Sequence, residues 1–214
     1  MSQLALAWSA CAAPRALDDG AAILPGAALT DAPTLVAEID AVFAVAPPVS
    51  METPGGGRMS VRLSNCGDLG WVSDARGYRY STRDLDGTRW PPMASALRAL
   101  ATRCAAAVGY RDFAPDACLI NEYAPGARMG LHQDRQERDD GAPIVSVSLG
   151  LPATFLWGGL ERTGPLRRLR LEHGDVVVWG GPSRMVFHGV APIAPGYHPL
   201  VGARRLNLTF RTAR

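Results

Sequence analysis

Apolar residues recur at helical spacing in two early segments and at alternate positions in many short later ones. Over residues 30–46, Leu35, Ile39, Val42 and Phe43 fall on one face, Thr30 or Asp31 can cap the start, and Pro47-Pro48 closes the end. A second helix is expected over about 91–108, entered through prolines and stopped at Gly109. Its stripe of Met93, Leu97, Leu100, Cys104 and Val108 reads as core. From residue 115 the pattern shortens to eight candidate strands: 116–123, 129–134, 143–150, 153–158, 166–171, 175–180, 185–190 and 203–211. Helices first and consecutive strands afterwards predict an α+β protein, its strands forming a sandwich or barrel braced by the N-terminal helices. Between the two helices, residues 47–92 are dense in glycine, proline and arginine, interleaved with Trp71, Tyr78, Tyr80 and Trp90. This segment reads as hairpins and loops laid over a core.

Composition narrows the class. A chain of 214 residues, 47% hydrophobic and 20% charged, is sized for one domain spanning residues 1–214. No apolar run approaches the roughly 18 residues of a spanning helix. The start, "MSQLALAWSACAA", lacks the basic region of a secretory signal, so a cytoplasmic, membrane-free protein is expected. Cys11, Cys66, Cys104 and Cys118 are far apart, which suggests buried free thiols rather than a metal knuckle or disulfide framework. All 22 basic residues are arginine, at a net charge of +2. Arginine suits phosphate and carboxylate, but the alanine-rich composition points first to a GC-rich genome, so each arginine is weighed by position.

The chemistry begins at "GLHQDRQE", residues 130–137. On a strand, His132 and Asp134 would share a face about 6.6 Å apart. His188 in "MVFHGV" is the best third partner. Two imidazoles and one carboxylate on one side of a metal make the facial triad of non-haem Fe(II) oxygenases. H-x-D alone is a weak signal, and a strand histidine is as a rule structural; His173 and His198 are read that way. The last strand, "RRLNLTFR", alternates strictly, with Leu206, Leu208 and Phe210 on one face and Arg205, Asn207, Thr209 and Arg211 on the other. By pattern alone the polar face is a solvated one. Inside a barrel, the same face would hold a small dianion such as 2-oxoglutarate by charge-assisted bonds, with Asn121 and Tyr123 donating from a neighbouring strand.

Together, "PDACLINEYAPGARMGLHQD", "IVSVSLGLPATF", "LEHGDVVVWGG", "RRLNLTFR" and "MSVRLSNCGDLGW" resemble the AlkB family of alkylation-repair dioxygenases in order and spacing, over about residues 18–212. The resemblance implies a double-stranded β-helix (jelly-roll) core over 115–212, a nucleotide-recognition lid over 47–91, and use of Fe(II) and 2-oxoglutarate. It implies that His132, Asp134 and His188 bind iron, and that Asn121, Tyr123, Arg205, Asn207 and Arg211 hold 2-oxoglutarate. Trp71 would lie against the damaged base, with Thr53, Leu63 and Tyr78 near the base or its phosphates. Gln136, Arg162 and Trp179 fall on substrate-contact positions, and His188 would supply the other face of a base sandwich. The implied reaction is oxidative dealkylation of 1-methyladenine and 3-methylcytosine, releasing formaldehyde and succinate. The implied partner is alkylated single-stranded DNA, with RNA and duplex DNA left open, acted on by a monomer. The alternative is a 2-oxoglutarate oxygenase acting on a protein side chain or small molecule; the aromatics and arginines of 47–92 favour nucleic acid.

Two positions depart from the family's best-known member. Gln136 stands where that protein has an acid, and an amide brings no charge to a cationic base. Glu137 is adjacent and could substitute, but on a strand it would point to the other face. Leu63 replaces a methionine, a volume-like swap.

Overall fold

The computed structural model describes residues 13–138 and 140–214; Cys11 and Asp139 lie outside the described residues. Among the described residues the first elements are a hairpin, β1 (Arg15–Asp18) and β2 (Ala21–Leu24), followed by helix α1 (Ala32–Val45). Then come β3 (Arg62–Gly67), β4 (Gly70–Asp74), β5 (Gly77–Ser81) and helix α2 (Ser95–Ala107). The remaining strands are β6 (Ala117–Tyr123), β7 (Met129–His132), β8 (Ile144–Gly150), β9 (Ala153–Trp157), β10 (Arg167–Leu171), β11 (Val176–Trp179), β12 (His188–Val190) and β13 (Arg205–Arg211).

All eight expected strands form. Their major sheet has the order β1-β2-β11-β8-β13-β6-β3, and the smaller one runs β10-β9-β12-β7, every pairing antiparallel. Alternation along β13 explains the layers. Leu206, Leu208 and Phe210 enter one core with Val145, Val147 and Leu149 of β8, against which α1 and α2 lay Leu35, Ile39, Leu97 and Leu100. The opposite face of the major sheet meets the smaller sheet, through Trp157, Phe155, Val177 and Trp179. Arg205, Asn207, Thr209 and Arg211 point into this inner space and line a pocket.

Two boundaries near the site differ from expectation. Helix α2 starts at Ser95 because Pro91 is still engaged with β3, its carbonyl accepting from Gly67 N at 2.9 Å. The helix stops as predicted: Gly109 takes a positive φ of 102°, and Tyr110 N closes back on Ala105 O at 3.0 Å. Strand β7 ends at His132, so Asp134 lies just beyond it. Within the glycine- and proline-rich segment, β3 joins the major sheet beside β6, while β4 and β5 form a separate hairpin. Cys66 and Cys118 are buried free thiols, and Cys104 is buried as well. Among the described residues no helix is long and apolar enough to cross a membrane.

Candidate active site

His132 at the end of β7 and His188 at the start of β12 face each other across paired strands, their rings 4.4 Å apart. Asp134 follows on the chain leaving β7. One donor atom from each lies within 4.8 Å of the others, with His132 Nε2 3.7 Å and His188 Nε2 3.9 Å from the carboxylate oxygens. Both rings face carbonyls through Nδ1, His132 to Gly130 O at 2.9 Å and His188 to Val186 O at 3.0 Å. In a neutral imidazole Nδ1 then carries the proton and Nε2 keeps its lone pair for a metal. Burial, reinforced by His132, pushes His188 down to about 4, so it stands neutral. Burial would push the Asp134 carboxyl up, but Arg211, His188 and His132 outweigh it and hold the carboxyl well below the usual carboxylate range.

Arg211 donates to Asp134 Oδ2 through Nε at 3.1 Å and Nη2 at 2.8 Å. Deeper in the pocket, Arg205 is 1% exposed and lies over the Tyr123 ring at 5.2 Å. Its Nη2 donates to Ser148 Oγ at 3.0 Å, while Nε and Nη1 have no partner, and the buried Trp179 Nε1 has none either. A guanidinium with two buried nitrogens that lack partners is unfavourable unless an anion completes it. The triad and this pocket therefore fit a divalent metal and a small carboxylate ligand.

Asn207 plays a different part from a direct ligand contact. Its oxygen accepts from Asn121 and Thr209, both at 3.1 Å, and its amide nitrogen donates to Ser146 Oγ and Val147 O, both at 2.9 Å. It is spent inside the sheet, where it fixes Asn121.

At the mouth, Trp71 of β4 stacks on Tyr78 of β5, centroids 5.3 Å apart at 18°. Trp71 Nε1 donates to Gln136 Oε1 at 3.5 Å, and its backbone is clamped by Asn65 through bonds of 2.9 and 3.0 Å. Arg162 lies exposed on the loop after β9, over the Phe187 ring at 5.9 Å. Thr53 is close in sequence, but its hydroxyl closes the turn to Gly57.

Four expectations change. Leu63 is 1% exposed in the inner core, and Trp179, equally buried, is a pocket wall edge-on to His188 at 5.0 Å, so neither is a mouth surface. Of the two imidazoles, His188 has a side chain only 6% exposed against 37% for His132, so the open face available to a base belongs to His132. Glu137 does not point away. Because β7 has ended, the chain past it turns the Glu137 side chain inward, 2% exposed and paired with Arg184 at 3.1 Å and Arg211 at 3.3 Å. Ser146 and Ser148 were legible as polar alternates on a strand; Asn65 and Arg184 gave no signal.

This triad, two strand histidines and the carboxylate just past β7, above a buried cationic pocket defines a 2-oxoglutarate- and Fe(II)-dependent oxygenase, and the family model described as "2OG-Fe(II) oxygenase superfamily" matches residues 20–211. The chain is 54% identical over 195 residues to "Alpha-ketoglutarate-dependent dioxygenase AlkB" of Escherichia coli K12, covering 91% of this chain and 90% of that protein. It is 46% identical to the AlkB homolog of Caulobacter vibrioides, covering 95% of this chain and 92% of the homolog. The solved structure of OsALKBH1 superposes with a TM-score of 0.82 at 27% identity, covering 93% of this chain and 99% of that one. The chain belongs to the AlkB family within that superfamily.

Proposed function

We propose that this enzyme removes alkyl groups from base nitrogens of nucleic acid, with 1-methyladenine and 3-methylcytosine in single-stranded DNA as substrates. The reading takes it as a cytoplasmic monomer whose recognition lid spans residues about 47–91. The observation that carries it is the stacked Trp71–Tyr78 pair on a hairpin that reaches the chain just past Asp134, above a triad and a carboxylate pocket. The relatives' names agree with it, one being "Nucleic acid dioxygenase ALKBH1" of Homo sapiens, 33% identical over 127 residues.

In this reading His132, Asp134 and His188 hold Fe(II). Arg205, Tyr123 and Arg211 hold 2-oxoglutarate with Asn121, which Asn207 fixes. Dioxygen is the oxidant: bound iron would couple its reduction to the oxidation of 2-oxoglutarate to succinate and carbon dioxide and to hydroxylation of the substrate N-methyl group. The hydroxylated N-methyl group collapses to formaldehyde and the restored base. The reacting nitrogens, N1 of adenine and N3 of cytosine, lie on the pairing edge, so the base enters unpaired. Trp71 and the open His132 ring flank it, a sequence-tolerant way to hold any base face. Arg162 and Tyr78, both exposed, meet the flanking phosphates.

Gln136 tunes the choice of lesion. Its oxygen already accepts from Trp71, which leaves its amide nitrogen as a donor. With Glu137 consumed by two arginines, neither residue offers a free carboxylate to a cationic base. Gln136 therefore weakens the preference for 1-methyladenine. The deciding experiment is formaldehyde release from a short single strand carrying 3-methylcytosine, with Fe(II) and 2-oxoglutarate each present or withheld. Release that needs both supports the reading; succinate formed without formaldehyde moves the substrate to a protein or small molecule.

A further inference from the structure

The β4–β5 hairpin makes a second, buried attachment to the site. Tyr80 donates its hydroxyl to Glu137 Oε1 at 2.6 Å. That same oxygen lies 3.3 Å from Arg211 Nε, while Oε2 takes Arg184 Nη2 at 3.1 Å. Arg184 in turn donates to the Asp134 carbonyl at 2.9 Å and to Ala142 O at 3.0 Å. Arg211 reaches the Asp134 carboxylate at 2.8 Å. One carboxylate thus joins a lid tyrosine to both arginines that hold the metal ligand, and the side chains of Glu137, Arg184 and Arg211 are at most 7% exposed. Burial matters twice: these charge-assisted bonds are not screened by solvent, and a displaced member would leave an unpaired buried charge. Burial also raises the Tyr80 hydroxyl well above its ordinary pKa, keeping it a donor.

We propose that Tyr80 and Glu137 are positioning residues that couple seating of the lid hairpin to binding of 2-oxoglutarate, by fixing Arg211 in the orientation that serves Asp134 and the ligand. The proposal rests on the assignment of Arg211 to 2-oxoglutarate made above. Coupling is reciprocal: whatever factor the seated hairpin adds to 2-oxoglutarate affinity, bound 2-oxoglutarate adds to the seated hairpin.

The test uses the full chain loaded with Mn(II), titrated with 2-oxoglutarate by calorimetry, and beside it the rate of trypsin cleavage at Arg76, which is exposed at the tip of the hairpin. Tyr80→Phe deletes one oxygen and keeps the ring, so the fold is retained. It should raise the Kd for 2-oxoglutarate about 3–10-fold, the loss of one charge-assisted bond. In the unaltered protein 2-oxoglutarate should slow cleavage at Arg76, and in Tyr80→Phe that protection should vanish. Asp74→Asn loosens the hairpin at its turn, where Asp74 holds Arg76 and Arg79, without touching Tyr80. It should leave the Kd unchanged. An unaltered Kd in Tyr80→Phe, or an equal rise in Asp74→Asn, overturns the coupling. Arg211→Ala separates the two levels: a normal Kd there refutes the Arg211 assignment itself, whereas a weakened Kd there with a normal one in Tyr80→Phe refutes only the clasp.

Discussion

Replacing Arg205 with methionine should move stability and ligand affinity in opposite directions. In the ligand-free protein its guanidinium is fully buried with Nε and Nη1 unpaired. Each unsatisfied buried donor is unfavourable by about 1–3 kcal/mol. Against this stand one hydrogen bond to Ser148, worth about 1 kcal/mol, and the contact over Tyr123, about 1–2 kcal/mol when desolvated. A methionine of similar reach fills the space without polar atoms. The ledger leaves the ligand-free variant between about 1 kcal/mol less and about 4 kcal/mol more stable. Each kcal/mol appears as a rise of about 2–4 °C in Tm for a chain of this size. With 2-oxoglutarate the sign reverses. A carboxylate that loses two charge-assisted bonds forfeits about 3–6 kcal/mol, and at 1.4 kcal/mol per decade affinity falls by roughly two to four orders of magnitude. Thermal unfolding of the Mn(II)-loaded protein, with and without 2-oxoglutarate, reads both effects in one experiment. A variant that is clearly destabilised without ligand, yet still stabilised by 2-oxoglutarate at unchanged concentrations, would refute the view of Arg205 as an anion receptor awaiting its ligand.

Further outcomes follow from the same site. His132→Ala should abolish 2-oxoglutarate turnover with little change in Tm, because the ring is 37% exposed and its backbone partner is a single carbonyl. Asp134→Ala should also abolish turnover but lower stability by about 3 kcal/mol, since Arg211 loses a buried partner; urea denaturation with equal midpoints for the two variants would contradict this. Gln136→Glu should raise the ratio of activity on 1-methyladenine to that on 3-methylcytosine severalfold, and an unchanged ratio in paired formaldehyde assays would remove Gln136 from lesion choice.

What the sequence made legible was periodic. The alternation in β13 separated its apolar from its polar side, and the structure keeps that division, with Leu208 in the helix-side core and Arg205 in the pocket. The helix stripes were equally plain, because 3.6-residue spacing and a following glycine or proline are local signals. The short β1–β2 hairpin and β3 were not legible. They hold only four to six residues each, and β3 sits in a run of polar and small residues whose strand character comes from pairing with β6. The inward turn of Glu137 was hidden for a related reason. Its direction depends on where β7 ends, and that is decided by its pairing with β12. Trp71 showed itself as an aromatic among arginines, but Asn65, which clamps its backbone, looks like any strand residue until the fold is closed.

The end of β7 is also where the functions meet. Had the strand continued, Asp134 and Gln136 would share one face and Glu137 the other. Because it stops at His132, a single turn of coil delivers a metal ligand, a neutral amide at the mouth and a buried acid to the same side of the molecule. The three side chains then engage three different things: Asp134 the metal site, Gln136 the stacked Trp71, and Glu137 the lid tyrosine. The proposed lesion-choice residue and the proposed lid attachment thus lie within three residues of the iron ligand, yet use separate atoms. The backbone path is fixed by Arg184, which bonds the Asp134 and Ala142 carbonyls at either end of the intervening loop. With the path held there, position 136 can change from an acid to an amide without disturbing the triad.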